Sequence, residues 1–233
     1  MRVKICGITQ TDQAQAIAQF GASALGFICV KQSPRYVAPE QIRGLTTLQT
    51  VDRVGVFVDA SVAEIEQVVA IAQLTAAQLH GNESPQFCQA LRAALPAIEI
   101  IKAFRVRNAE TLEHTRSYEN CVDALLLDAY HPNVTNPGLL GGTGKTLNWE
   151  SLKQFRPRCP WILAGGITPD NVIDALQKLQ PDGIDLSSGV EIAPGDKDLA
   201  AVERLFVNLQ CCFNVSKNAY TGGGLSADSK VAT

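Results

Sequence analysis

The chain reads as α/β, a single (β/α)8 TIM barrel, and three observations predict it. Short β-branched or apolar runs recur eight times, beginning near residues 3, 24, 53, 76, 98, 123, 161 and 183. Successive runs lie 21, 29, 23, 22, 25, 38 and 22 residues apart, which suits a strand, a loop, a short helix and a return loop in each unit. No Pro- or Gly-rich linker interrupts them, so one closed barrel over residues 1–209 is favoured over two domains. A doubly wound open sheet is the other fold this alternation could build.

Each unit carries its own signals. The first strand, VKIC, is followed by Thr9-x-x-Asp12, a capping box that would open the first helix by satisfying its orphan N–H groups. ALGFIC and RVGVFV form the second and third strands, and Ser61-x-x-Glu64 repeats the capping box after the third. AAQL precedes Ser84-Pro85, and WILA precedes Thr168-Pro169; both pairs place a cap residue before a proline at the first helical position. EIIKAF, DALLLD and GIDL complete the set. Only the sixth connection is stretched, and its Asn133, Asn136, Pro137 and Gly138 predict a mobile loop or lid over residues 130–146. After Leu209 the periodic apolar face stops, and residues 210–233, with a Gly triplet and scattered Ser and Lys, read as a flexible tail without a role in catalysis.

Twenty Lys and Arg against 23 Asp and Glu leave a formal charge of -3, so no basic excess points to nucleic acid or to an anionic membrane. No apolar stretch approaches a spanning helix, and Arg2 and Lys4 stand where a signal peptide needs its apolar region, so a cytoplasmic chain is expected. Seven cysteines without a CxxC and three scattered histidines support neither a disulfide framework nor a metal site.

In such a barrel the chemistry lies at the C-terminal strand ends. Read in order, these are Cys6-Gly7, Ser33-Pro34-Arg35-Tyr36, Asp59, His80-Gly81, Arg105, Asp128, Gly165-Gly166 and Ser187-Ser188-Gly189. Glycines and small hydroxyls after strands 7 and 8 leave bare N–H groups that can cradle a phosphate. Cys6 is a candidate base if a helix N-terminus favours its thiolate over an apolar wall. Asp128 closes an apolar run, where partial burial would raise its pKa and suit it to general acid work. Arg35 offers a planar fork for a carboxylate, with the Tyr36 ring bordering an aromatic ligand. Lys4 and Asp185 come from strands that become neighbours on closure, and are expected to form a buried structural ion pair. Gly141-Gly142-Thr143-Gly144-Lys145-Thr146 imitates a P-loop, but the required glycine at 139 is Leu139.

Over about residues 1–209 these segments resemble the phosphoribosylanthranilate isomerase family. VKICGIT (3–9), GFICVKQSPRYV (26–37), QLHG (78–81), LLLDAY (125–130), GGTGKTLNW (141–149), LAGGITPDNV (163–172) and GIDLSSGVEIAPGDKD (183–198) occur in the family's order. The resemblance implies a cofactor-free and metal-free aldose–ketose isomerase of the intramolecular oxidoreductase type. It would convert phosphoribosylanthranilate by an Amadori rearrangement in tryptophan biosynthesis. By that resemblance Asp128 is the general acid, Cys6 the general base, Arg35 the ligand of the anthranilate carboxylate, and His80 a site-lining group. Gly165, Gly166, Ser188 and Gly189 would hold the phosphate. The partner implied is a small phosphorylated substrate, with the chain a monomer or homodimer. Indole-glycerol-phosphate synthase and a catalytically silent phosphate-binding barrel are the alternatives. The first relies on barrel lysines and a segment before strand 1, and the second would need neither proton carrier.

Overall fold

A computed structural model describes residues 1–45, 51–106, 108–129 and 149–221. Eight parallel strands close into a barrel in sequence order. They are β1 (Arg2–Cys6), β2 (Ala24–Ile28), β3 (Asp52–Phe57), β4 (Ala76–Leu79), β5 (Glu99–Val106), β6 (Ala124–Ala129), β7 (Trp161–Leu163) and β8 (Gly183–Leu186). Closure is made by β1 on β8, which sets Lys4 directly opposite Asp185. The helices α1 (Thr11–Phe20), α2 (Pro39–Leu45), α3 (Val62–Ala72), α4 (Pro85–Ala94), α5 (Ala109–His114), α6 (Val172–Lys178) and α7 (Leu199–Thr221) follow the strands in order, except after β6. There the described residues hold only a one-turn 3-10 helix at Trp149–Leu152. The proposed lid over 130–146 lies outside the described residues.

Side-chain alternation along each strand divides the core in two. Ala24, Val54, Ala76, Ile101, Ala103, Ala124, Leu126, Ile162 and Ala164 fill the barrel interior. Their neighbours Ile5, Leu25, Leu79, Ile100, Leu125, Leu163 and Ile184 belong to the larger outer core under the helices. Small interior residues leave room for charge: Arg2 bonds Glu99 and Asp52 at the base of the barrel. Lys4, fully buried above it, bonds Asp185 at 2.8 Å.

Two of the four helix-start signals act as the sequence predicts. Ser61 and Glu64 form the reciprocal capping box of α3, and Ser84 caps α4 ahead of Pro85. Two do not. α1 begins at Thr11 with Gln10 as its uncapped N-cap, because the Thr9 hydroxyl instead donates to the Gly195 carbonyl at 2.5 Å. α6 begins at Val172, after a turn in which the Asn171 side chain accepts from Thr168 N–H and donates to the Gly166 carbonyl. At the other end α7 packs on α1 and α6 and runs on to Thr221, so the first part of the expected tail is helical. Residues 222–233 lie outside the described residues. A hairpin that the strand count does not anticipate, β9 (Glu191–Ala193) with β10 (Asp196–Lys197), follows β8.

Candidate active site

Every predicted site residue lines one cavity at the C-terminal mouth: Cys6, Arg35, His80, Asp128, Gly165, Gly166, Ser188 and Gly189. Strands β1 and β6 present Cys6 and Asp128 at their upper ends, both buried. Rim residues Tyr36, Asp59 and Arg105 go elsewhere, Arg105 into a second depression beside Phe104 and His114. Tyr36, expected beside an aromatic ligand, lines a separate depression with Lys31 and Glu64 between the outer helices. Asp59 turns to its neighbouring loop, where its carboxylate accepts from the Asn82 N–H at 2.6 Å.

Burial pushes the Cys6 thiol up, with the Lys4 ammonium opposing that shift by charge and hydrogen bond. The resting group is therefore a thiol next to a cation that favours its ionised form. Lys4 stays above its usual range although burial works against it, because the Asp185 charge faces it, and a Cys6 thiolate would add to that hold. Across the mouth, the His80 Nε2 lies 3.6 Å from an Asp128 carboxylate oxygen. Burial lowers His80 to about 3, helped by the charges of Arg105, Lys102 and Lys4. A neutral imidazole at physiological pH suits a lining role and not a proton-donating one.

The β7 and β8 loops meet at the mouth. Gly165 and Gly166 adopt φ of 84° and 67°, the left-handed region in which a side chain is strained. The β7–α6 turn is held by bonds from Thr168 and Asn171, and among the described residues the two glycine amides take no part in that network. A Cβ at Gly189 would stand 2.0 Å from the Ile167 carbonyl oxygen, so only glycine lets the two loops approach. Juxtaposed bare amides of this kind can take a phosphate.

Arg35 does clamp a carboxylate, but it is one of the chain's own. Its Nε donates to Glu191 Oε1 and Oε2 at 2.9 and 3.1 Å, and its Nη2 donates to Oε2 at 2.6 Å. The ammonium of Lys197 donates to the same Glu191 at 2.6 Å and to the Cys6 carbonyl at 2.5 Å. Burial would push Glu191 up, yet the bonds and charges of Arg35 and Lys197 outweigh it and hold the carboxyl below its usual range. Sequence reasoning missed Glu191 and Lys197. The Pro194-Gly195 step between EIA and DK was the available hairpin signal.

A closed βα barrel with an acid, a thiol, an arginine and paired glycine loops at one mouth has the groups that acid–base chemistry on a small anion would require. The family model for N-(5'-phosphoribosyl)anthranilate (PRA) isomerase matches residues 3–208. The N-(5'-phosphoribosyl)anthranilate isomerase of Rippkaea orientalis is 60% identical over 212 residues, covering 90% of this chain and 96% of the relative. The crystal structure of phosphoribosyl anthranilate isomerase from Thermotoga maritima superposes with a TM-score of 0.81 at 36% identity, covering 91% and 99% of the two chains. A crystal structure of phosphoribosyl anthranilate isomerase in complex with reduced 1-(o-carboxyphenylamino)-1-deoxyribulose 5-phosphate aligns at 33% identity and a TM-score of 0.75, covering 91% and 99%. The chain belongs to the N-(5'-phosphoribosyl)anthranilate isomerase family. Among the described residues, no helix is long and apolar enough to cross a membrane and no group of three His, Cys, Asp or Glu is placed to hold a metal.

Proposed function

We propose that the chain converts N-(5'-phosphoribosyl)anthranilate to 1-(o-carboxyphenylamino)-1-deoxyribulose 5-phosphate in tryptophan biosynthesis, with residues 1–209 as the catalytic barrel. The observation that carries this reading is the convergence of a carboxyl, Asp128, and a thiol, Cys6, on a cavity that also holds Arg35 and the two glycine loops. An aldose-to-ketose shift needs a donor for the ring oxygen and an acceptor for the C2' proton.

Asp128 gives its proton to the furanose ring oxygen while the anthranilate nitrogen lone pair forms C1'=N and the C1'–O bond breaks. Cys6, having released its thiol proton to solvent with Lys4 stabilising the thiolate, then takes the C2' proton, and the C–H electrons move into C1'=C2', cancelling the iminium charge. The enolamine tautomerises to the C2' ketone. C1' is reduced and C2' oxidised within one molecule, which makes the step an intramolecular oxidoreduction needing no external electron carrier. Lys4 favours the Cys6 thiolate by charge. His80 lines the cavity as a neutral group. Gly165, Gly166, Ser188 and Gly189 hold the phosphate through backbone amides, and Arg35 holds the anthranilate carboxylate through the guanidinium edge that Glu191 leaves uncovered.

Loss of phosphoribosylanthranilate fluorescence tests the reading directly. The folded chain should deplete the substrate and yield the aminoketose without added metal or cofactor. A folded sample with no turnover but retained phosphate binding would instead make it a silent phosphate-binding barrel. On this reading the enzyme works in the cytoplasm as a monomer or homodimer.

A further inference from the structure

Arg35, Glu191 and Lys197 form a buried charge cluster whose balance bears on ligand choice. Glu191 takes both Nε and Nη2 of Arg35, so the guanidinium is fixed in one orientation with its Nη1 edge directed elsewhere. All three side chains are almost excluded from water, with relative exposures of 7% for Arg35, 4% for Glu191 and 0% for Lys197. At such low exposure a charge is weakly screened, so the sign of the cluster matters. Arg35 with Glu191 alone would be neutral, and an incoming carboxylate would meet the Glu191 charge as well as the guanidinium. Lys197 supplies the second cation. Its ammonium is also anchored by the Cys6 carbonyl and lies 3.4 Å from that of Ser187, both strand-end groups of the same mouth.

We propose that Lys197 and Glu191 are specificity-determining positioning residues: Glu191 aims the Arg35 guanidinium, and Lys197 cancels the Glu191 charge so that Arg35 keeps its attraction for the substrate's carboxylate. This deepens the reading in which Arg35 meets the anthranilate carboxylate, and it rests on that reading. The hairpin β9–β10 is thereby part of the recognition apparatus, although it lies outside the eight barrel strands.

Binding, and not turnover, is the appropriate readout, because Lys197 also touches the strand end that carries the proposed base. Two probes suffice: reduced 1-(o-carboxyphenylamino)-1-deoxyribulose 5-phosphate and its phenylamino counterpart lacking the carboxyl group. The wild-type chain should prefer the carboxylated probe. Lys197→Met should cost about tenfold or more of that preference, since it leaves the buried Glu191 charge balanced by Arg35 alone, while affinity for the carboxyl-free probe holds. Adding Glu191→Gln to Lys197→Met should restore preference by removing that charge. Equal losses for both probes, or a double variant no better than Lys197→Met, would overturn the proposal. If Lys197→Met does not fold, Glu191→Gln, which keeps an amide oxygen to aim Arg35 but removes the charge, carries the test alone: preference should rise, and an unchanged or lowered preference overturns it. Arg35→Met separates the two layers of the argument, since a preference that survives it would remove Arg35 from carboxylate binding and with it the reading beneath.

Discussion

On the β1–β2–β8 side of the mouth, charged groups are bound to one another: Lys4 to Asp185, Arg35 to Glu191 and Glu191 to Lys197. On the β4–β5–β6 side Lys102 is likewise paired with Glu83, but at the mouth Gln78 Oε1 and His80 Nε2 are buried with no hydrogen-bond partner among the described residues, as against Asp185 Oδ1 on the first side. Both sides border the same cavity, yet they divide the work differently. The first side is preorganised, its desolvation cost offset by internal ion pairs formed as the barrel closes. The second keeps polar atoms uncommitted, a costly arrangement that a bound polar ligand relieves. Changes on the paired side should therefore register in stability and ligand discrimination, and changes on the other side chiefly in binding and turnover.

The largest effects are expected at the proton carriers, one from each side. Asp128→Asn and Cys6→Ala should each lower kcat by at least about 10²-fold, the usual scale for losing a general acid or base, without loss of the circular dichroism of the fold. Turnover like the wild type in either variant would remove that residue from the mechanism. Next comes Lys4→Met, which leaves Asp185 buried and unpaired and should cost about 3–5 kcal/mol of unfolding free energy in urea titrations. Gln78→Leu, on the opposite side, removes an acceptor that has no partner and should cost less than about 1 kcal/mol. Equal costs for the two would dissolve the comparison.

Gly166→Val forces a β-branched residue into a left-handed conformation beside the proposed phosphate site, a strain of about 1–2 kcal/mol. Affinity for phosphorylated ligand should fall, and calorimetric titration with inorganic phosphate would show it. A further effect concerns pH. Because His80 falls from its ordinary 6.5 to about 3 on folding, the unfolded chain alone takes up a proton there between those values. Its contribution to stability is complete above pH 6.5 and is lost as pH falls toward 3. Denaturant midpoints at pH 7 and 5 should differ less in His80→Gln than in the wild type, and the apparent pKa values of the rate profile should not move.

Much of this architecture was legible because its signals are local. Eight apolar runs at near-regular intervals, and the caps at Ser61 and Ser84, depend on residues a few positions apart, and the strand ends then follow from the alternation that brings Cys6 and Asp128 inward. The phosphate loops were legible for the same reason, since paired glycines at a strand-to-helix step have few other uses. The failures lie where a side chain had a remote partner to choose. Thr9 could cap its own helix but bonds Gly195, 186 positions away in the chain. Tyr36 shares a loop with Arg35 yet faces the outer helices, and α7 continues past the point where its apolar face ends.

By itself, then, the order of residues determined the βα alternation, the closed barrel and the identity of the groups at its mouth, because periodicity, capping and glycine conformation are short-range properties of the chain. Only the tertiary structure decided how those groups are wired. Lys4 found Asp185 when β1 closed on β8, and Arg35 met Glu191, 156 positions away, when a small hairpin folded back over the first strand. In a site this dry a charge must be paired on the spot, and which partner arrives is set by the path of the backbone through space.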